Sequence, residues 1–263
     1  MDKETRVALI TGGGTGIGAA TARRLAADGY RVVVTGRRME PIEAVASAIG
    51  GHAVVSDTSR EVDCRKAVET TLEQFGRLDV LVANAGVEAF GSAAEVDLTE
   101  WRHVMEVNVG GVLLAVRASV EALEESRGAV VVVASVAALA AGPSFSAYVT
   151  SKTALLGLVR SLAVDLGPSG VRVNAICPGW VATEMSNREV VELGRALDCS
   201  DESARERLVR HLPLNRMADP AEIASCISFL AGPDSSFMTG SALIADGGGS
   251  AVDVGTLAYR DLG

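Results

Sequence analysis

A single-domain, doubly wound α/β fold is predicted, with helices on both faces of a parallel sheet of about seven strands. Three observations carry that prediction. Short runs of β-branched residues alternate with stretches of helical period along most of the 263 residues. The runs are apolar at consecutive positions, as strands covered on both faces are. The first run also leads through a glycine cluster straight into the first helical stretch. No linker, low-complexity block or repeat breaks the pattern, so residues 1–263 read as one domain.

In the first half, strands are expected at Val7–Thr11, Arg31–Thr35, His52–Ser56, Leu78–Ala83 and Ala129–Ala134. Helical patterns lie between them at Ile17–Asp28, Met39–Ile49, Glu61–Phe75 and Trp101–Glu124. Strand, helix, strand repeated in this way implies right-handed crossovers and hence parallel pairing. In the second half a helix from Ser146 to Leu166 stops at Gly167-Pro168, because proline lacks the N–H that a continuing helix needs. A strand follows at Val171–Ile176. Thr183 to Ala218 is polar and charged, with a helical but weakly apolar pattern. Pro220 opens a helix through Ala231, a position where its missing donor costs nothing. Ala242–Ala245 is the last strand, running into Asp246-Gly247-Gly248-Gly249, and the tail 250–263 has no strong pattern.

Composition narrows the function classes. Hydrophobic residues make up 48% and aromatics only 4%, so Val, Leu, Ile and Ala build the core. Twenty-four basic against 33 acidic side chains give a net charge of -9, which argues against nucleic acid as a partner. The apolar stretch Ala129–Ala141, broken by Ser135, falls short of the about 20 residues a bilayer requires, so no membrane partner is expected. The charged start, Met1–Arg6, precedes only four apolar residues and does not read as a secretory leader. Cys64, Cys177, Cys199 and Cys226 show no paired spacing and read as reduced thiols. His52, His103 and His211 are isolated, so no metal site is expected. A cytoplasmic location follows from these features.

The turn Gly12-Gly13-Gly14-Thr15-Gly16-Ile17-Gly18 lets the backbone adopt positive φ and approach a ligand closely. The helix that begins there aims unpaired N–H groups and its positive dipole end at the turn, where a pyrophosphate is favoured. A tight turn with no ligand is the rival reading. The second strand ends Gly36-Arg37-Arg38, where this kind of fold meets the adenosine ribose. An acidic residue there would bind the 2′-OH of NAD, whereas arginine accommodates a 2′-phosphate. NADP(H) is therefore favoured over NAD(H). If both arginines are merely solvated, NAD is the cofactor. Asp57-Thr58, past the third strand, is a candidate adenine contact, against the reading of a plain turn aspartate.

Tyr148 and Lys152 stand four apart within a helical pattern and so share a face. Ser135 ends the strand Ala129–Ala134, and open α/β sheets bind ligands at the carboxyl ends of their strands. A phenol has a pKa of about 10, and a neighbouring ammonium favours its ionised form. Tyr148 is then placed to exchange a proton with an alcohol or carbonyl while hydride moves, with Ser135 holding the oxygen where charge develops. A surface tyrosine beside a helical lysine, and a serine binding its own backbone, are the bland alternatives.

Taken together, Thr11-Gly12-x-x-x-Gly16-x-Gly18, Asn84-Ala85-Gly86, Asn108, Ser135, Tyr148-x-x-x-Lys152 and Pro178-Gly179 resemble the short-chain dehydrogenase/reductase family over Arg6 to about Gly249. The resemblance implies an NAD(P)(H)-dependent oxidoreductase acting on a ketone or secondary alcohol. It implies Tyr148 as general acid/base, with Lys152 lowering its pKa and binding the nicotinamide ribose. Ser135 orients the substrate oxygen, and Asn108 holds a relay water. Asn84, Ala85 and Gly86 then line the cofactor, and Pro178, Gly179, Val181 and Thr183 meet its nicotinamide end. Two departures stand out. Ala83 replaces the usual first Asn, and Thr15 stands where NADP-preferring relatives often carry a basic residue.

The resemblance also implies a substrate-covering segment, about 183–216, whose charges Glu184, Arg188, Glu189, Glu192, Arg195 and Asp198 read mostly as a solvated helix face. Val87, Glu88, Val136, Ser144, Phe145 and Trp180 are candidate pocket residues, and no arginine stands out for gripping a carboxylate. Small and apolar residues at Ala115, Val116, Ala118, Ser119, Ala154, Leu155, Leu158 and Leu162 exceed what one sheet face buries. With the resemblance, that surplus implies a homotetramer or homodimer. The tail 250–263 either covers a neighbouring subunit or frays. Two other functions compete: a 3-oxoacyl thioester (carrier-protein) reductase, and a non-catalytic dinucleotide-sensing regulator. The regulator is disfavoured because Tyr148 and Lys152 are both present. Enoyl reduction in related enzymes goes with a longer Tyr–Lys spacing.

Overall fold

β1 (Val7–Thr11), β2 (Arg31–Gly36), β3 (His52–Val55), β4 (Val80–Ala83), β5 (Ala129–Val133), β6 (Arg172–Pro178) and β7 (Ala242–Ala245) form one parallel sheet in the computed structural model. Their order is β3-β2-β1-β4-β5-β6-β7. The structure describes residues 5–262. The leader expectation rests mainly on residues 1–4, which lie outside that range, as does residue 263 of the tail. β1 is central, with Leu9 level with Val33 on one side and with Leu81 on the other. Chain order reverses between β1 and β4, and a crevice opens there beyond the carboxyl ends of the strands.

The helices are α1 (Gly16–Ala27), α2 (Met39–Ile49), α3 (Glu61–Phe75), α4 (Leu98–Met105), α5 (Gly111–Ser126), α6 (Ser146–Leu166), α7 (Glu184–Ala196), α8 (Asp201–Val209) and α9 (Pro220–Ala231). Alternate strand residues face opposite layers. Ile10, Val34, Val82 and Ile176 pack with Ala22 of α1, Ile42 of α2 and Ile227 of α9. Leu9, Val33, Leu81 and Val132 pack with Val68 of α3, Val116 of α5 and Leu155 of α6. Covering both faces is why the strands lack polar alternation, and each fully buried Leu or Ile contributes roughly 1.5–3 kcal/mol.

Asp79 closes the amino-terminal ends of the strands. Its carboxylate, in a side chain only 8% exposed, accepts from Val7 N at 2.8 Å and from Arg77 Nε and Nη2 at 2.9 and 2.7 Å. A buried charge with these donors in place is satisfied, whereas removing one partner would strand the other.

The structure corrects two expectations, for the helix after Trp101 and for the surplus on α5 and α6, and fills in two others. The helix read as Trp101–Glu124 is α4 and α5 joined by a π turn, Glu106–Gly110. Gly111, just after it, approaches Thr58 so closely that a Cβ would lie 3.0 Å from Thr58 Oγ1. Periodicity cannot register one inserted residue. The weakly apolar stretch after residue 183 resolves into α7 and α8, which share a small core of Val190, Ala204, Val209 and Met217. The surplus apolar surface on α5 and α6 is mostly absent: Ala115, Val116, Ser119, Leu155 and Leu162 are buried within the chain, and Ala118 and Leu158 pack against that core. Finally, the run Leu98–Ser126 is by length and composition apolar enough to span a bilayer, which the reading of Ala129–Ala141 overlooked. Here it packs against the sheet through Val112, Ala115 and Leu123. The tail forms short helical turns over Gly249–Ala251 and Val254–Leu262.

Candidate active site

A cavity of about 980 Å³ opens at the carboxyl ends of the strands. Its cofactor-side wall begins at the glycine turn. Gly12 has φ +63°, and a Cβ there would lie 2.9 Å from the Ala85 backbone. Asn84 stitches the turn to β4: its Nδ2 donates to Thr11 O at 2.9 Å and Gly12 O at 3.0 Å, while Thr11 Oγ1 accepts from the N–H groups of Asn84 and Ala85. Thr15, Gly16, Ile17, Ala85 and Gly86 line the wall beyond. Gly16, at φ +52°, lies beneath Thr183, whose Cγ2 would be 3.2 Å from a Cβ at that position. Thr183 caps α7 by accepting from Ser186 N.

Farther along, exposed Arg37 and Arg38 share the wall with Asp57 and Thr58. No ion pair to either arginine is formed among the described residues. Asp57 accepts from Ser59 N and Oγ at 3.0 and 2.7 Å. Its pKa is lowered: partial burial works the other way, but the Ser59 hydrogen bonds and the charges of Arg37 and Arg60 outweigh it.

At the other end stands the Tyr148 group. Ser135, just past β5, accepts from Ala137 N at 3.1 Å and lines the cavity beside Tyr148. One turn along α6, Lys152 is 5% exposed, its Nζ donating to Val133 O at 2.9 Å and lying 5.5 Å from the Tyr148 ring centre. Burial lowers the Lys152 pKa to about 8. Burial also pushes Tyr148 up to about 12, neighbouring Ser135 opposing this and the charges of Glu88 and Glu189 adding to it. The expectation that Lys152 acidifies the phenol is therefore not met in the ligand-free site, where desolvation wins. Tyr148 is held as a neutral proton donor.

Most of the sequence-predicted residues line this one cavity, including Pro178, Gly179 and Val181. Two do not. Gly18 sits behind the turn, where a Cβ would come within 2.3 Å of Gly12 O, so it serves packing. Asn108 is buried in the π turn; its side chain accepts from Val87 N and donates to Val87 O and Ser151 Oγ at 2.8, 2.8 and 3.0 Å. Its amide is thus occupied with positioning the segment after β4. Of the candidate pocket residues, Ser144 does not line the cavity: it lies at φ +64° and its carbonyl receives Gly91 N. Sequence reasoning missed Phe90, which packs edge-on to Phe145 at 4.9 Å, and Met185. Glu184, Arg188 and Glu189 also line the cavity, Glu184 and Arg188 while remaining exposed, as a solvated helix face is, and Glu189 half-buried. The i, i+4 spacing of Glu184 and Arg188 at the start of α7, shortly after Pro178-Gly179, was the available signal.

The site is thus a crevice for an extended ligand, with a cradle for phosphates at one end and a proton donor over a buried ammonium at the other. That ammonium has three protons and, among the described residues, hydrogen-bonds through one of them, leaving two for a ligand's hydroxyl groups. A nicotinamide dinucleotide fits this combination.

Comparison with known proteins agrees. A family model described as enoyl-(acyl carrier protein) reductase matches residues 12–250. Protein MoaE of Klebsiella aerogenes is 44% identical over 259 residues, covering 97% of this chain and 99% of its own. Meso-2,3-butanediol dehydrogenase of Serratia marcescens is 34% identical over 96% of this chain and 98% of its own. The crystal structure of a single-substitution variant of actinorhodin polyketide ketoreductase with NADPH superposes with a TM-score of 0.90 at 31% identity, covering 94% of this chain and 98% of that one.

Proposed function

This chain belongs to the short-chain dehydrogenase/reductase family and is an oxidoreductase acting on CH–OH groups; from that premise we propose that it interconverts a ketone and a secondary alcohol with NADP(H), with Tyr148 as general acid/base. The observation that carries the reading is the convergence of Ser135 and Tyr148 beside buried Lys152, in the same cavity as the glycine turn. A nicotinamide dinucleotide, when bound, supplies the hydride to the carbonyl carbon or takes it from the carbinol carbon. Ser135 holds the substrate oxygen, and Tyr148 gives it a proton in reduction. Lys152 presents a positive charge that limits the cost of the phenolate this leaves behind. Asn108 positions Val87 and the wall beside it.

Preference for the phosphorylated cofactor rests on Arg37 and Arg38, which form no ion pair among the described residues and stand at the wall where the adenosine ribose belongs. A charge-assisted contact contributes about 1.5–3 kcal/mol. Arg37→Ala is therefore expected to raise KM for NADPH by about tenfold or more while leaving KM for NADH nearly unchanged. Equal effects on both would refute the 2′-phosphate contact. A panel of ketones and secondary alcohols assayed with both cofactors by nicotinamide absorbance tests the activity itself.

A carrier-protein substrate is the second reading, and the family model and the polyketide ketoreductase likeness favour it. Against it, the wall includes Glu88, Glu184 and Glu189, which repel an acidic carrier and favour a small substrate. The Tyr-x-x-x-Lys spacing also argues for carbonyl over enoyl reduction.

We place the protein in the cytoplasm as a homotetramer or homodimer. Support for assembly comes from exposed apolar side chains: Phe237, fully exposed, Ile244 on edge strand β7, Phe229 on α9, Val164 on α6 and Leu113 on α5. Light scattering coupled to gel filtration is expected to give a dimer or tetramer mass, and a monomer at working concentration would refute it.

A further inference from the structure

Aromatic side chains are scarce in this chain: five Phe, three Tyr and two Trp in 263 residues. Among the described residues, none of them belongs to the buried hydrophobic core, which aliphatic side chains build. Yet Phe90, Phe145, Tyr148 and Trp180 all line the cavity that holds the glycine turn. The rings are kept out of the core and gathered at the site.

Two of them are held together by backbone. Phe90 follows β4 and Phe145 immediately precedes α6, so they are far apart in sequence. Gly91 N donates to Ser144 O at 2.8 Å, and Ser146 Oγ donates to Gly91 O at 3.3 Å. Gly91, at φ +152°, leaves no room for a side chain: a Cβ there would lie 2.6 Å from Val96 Cα. Ala89, buried with Val104 and Ala147, anchors the segment from behind. The two rings then meet edge-on, their centres 4.9 Å apart and their planes at 70°. Phe90 nevertheless remains 41% exposed on the cavity wall. Ala140, Ala141 and Gly142 share that wall and add little bulk. An apolar ring left open to water gains free energy when a ligand covers it.

We propose that Phe90 and Phe145 form a platform for an aromatic ring of the substrate, so that aryl ketones and aryl carbinols are preferred over alicyclic ones. The proposal rests on the reading of the Tyr148 group above and names the substrate class of that site. Phe145 stands three residues before Tyr148 at the start of α6, which puts both on one face and the platform within a helical turn of the proton donor. An edge-to-face pair presents the positive edge of one ring and the negative face of the other, and a third ring complements either. A cyclohexyl ring is at least as apolar but has no such quadrupole. A preference for phenyl over cyclohexyl therefore separates an aromatic contact from burial alone. An aliphatic acyl chain would cover the same wall with no preference of that kind.

Titration of the full chain with acetophenone and with cyclohexyl methyl ketone, followed by ligand-observed NMR, tests this. Saturating oxidised NADP or NAD is present, because an oxidised cofactor cannot reduce either ketone. Acetophenone is expected to bind at least about threefold more tightly than cyclohexyl methyl ketone. Phe90→Leu and Phe145→Leu are each expected to remove the preference. Phe237→Leu, at a fully exposed ring outside the cavity, is expected to keep it. Far-UV circular dichroism checks that each variant is folded. Equal or weaker binding of acetophenone by the parent, a preference kept in either cavity variant, or one lost equally in Phe237→Leu would overturn the proposal. Turnover with NADPH and NADH separates it from the reading it rests on. Ketone reduction without aryl preference would overturn the platform alone. Aryl-selective binding without turnover of any ketone or alcohol would uphold the platform and overturn the assignment of Tyr148 as acid/base.

Discussion

Tyr148→Phe is expected to leave the dinucleotide bound and to lower kcat/KM by about a thousandfold, within the range of positioned acid–base catalysis. The substitution removes one oxygen. It keeps the ring that lies 5.5 Å from the Lys152 ammonium, so the floor of the cavity persists. What goes is the proton donor beside Ser135. Because burial holds the phenol neutral up to about 12, the donor form dominates through the neutral range, which suits carbonyl reduction. Alcohol oxidation needs the phenol to give up its proton and should accelerate as pH rises. Stopped-flow nicotinamide fluorescence measures binding and steady-state absorbance measures turnover. Activity within a few-fold of the parent in Tyr148→Phe would remove Tyr148 from the chemistry.

The second large effect is structural. Gly18→Ala places a methyl group 2.3 Å from Gly12 O and 2.6 Å from Asn84 Nδ2. Neither neighbour can yield, since Gly12 is backbone and Asn84 Nδ2 holds both Thr11 O and Gly12 O. Helix α1 has to shift away from the turn, at a cost of about 3 kcal/mol for overpacking. Dinucleotide affinity should fall with it, because the turn and the helix start no longer converge. Gly157→Ala is the control: it lies within α6, and its added methyl meets nothing nearer than Arg160 Nη2 at 4.0 Å. Chemical denaturation should show Gly157→Ala at or slightly above the parent, since alanine favours a helix over glycine, and Gly18→Ala clearly destabilised. Parental stability in Gly18→Ala would show that the turn tolerates a side chain.

The strands were legible because double coverage forces runs such as Val130 to Val133 to be apolar at every position. Tyr148 and Lys152 were legible because spacing on one helix fixes a shared face. What escaped were features set by a neighbour distant in sequence. Glu189 reads as a surface charge until Glu88, distant in sequence, is known to line the same cavity. Ser144 reads as a pocket residue until its left-handed backbone turns its carbonyl toward Gly91. The π turn at Glu106–Gly110 leaves the residue types of a helix intact and changes only its winding. The electrostatic balance at Tyr148 was also out of reach, since a sequence shows the ammonium four residues on but not how dry the site is.

The clamp of Asp79 on Val7 and Arg77 stands at the opposite end of the sheet from the chemistry. Strength is thereby anchored at one pole and reactivity exposed at the other. Loops at the reactive pole are at liberty to be rewritten for new compounds without loosening the anchorage, so one scaffold is open to many molecular trades.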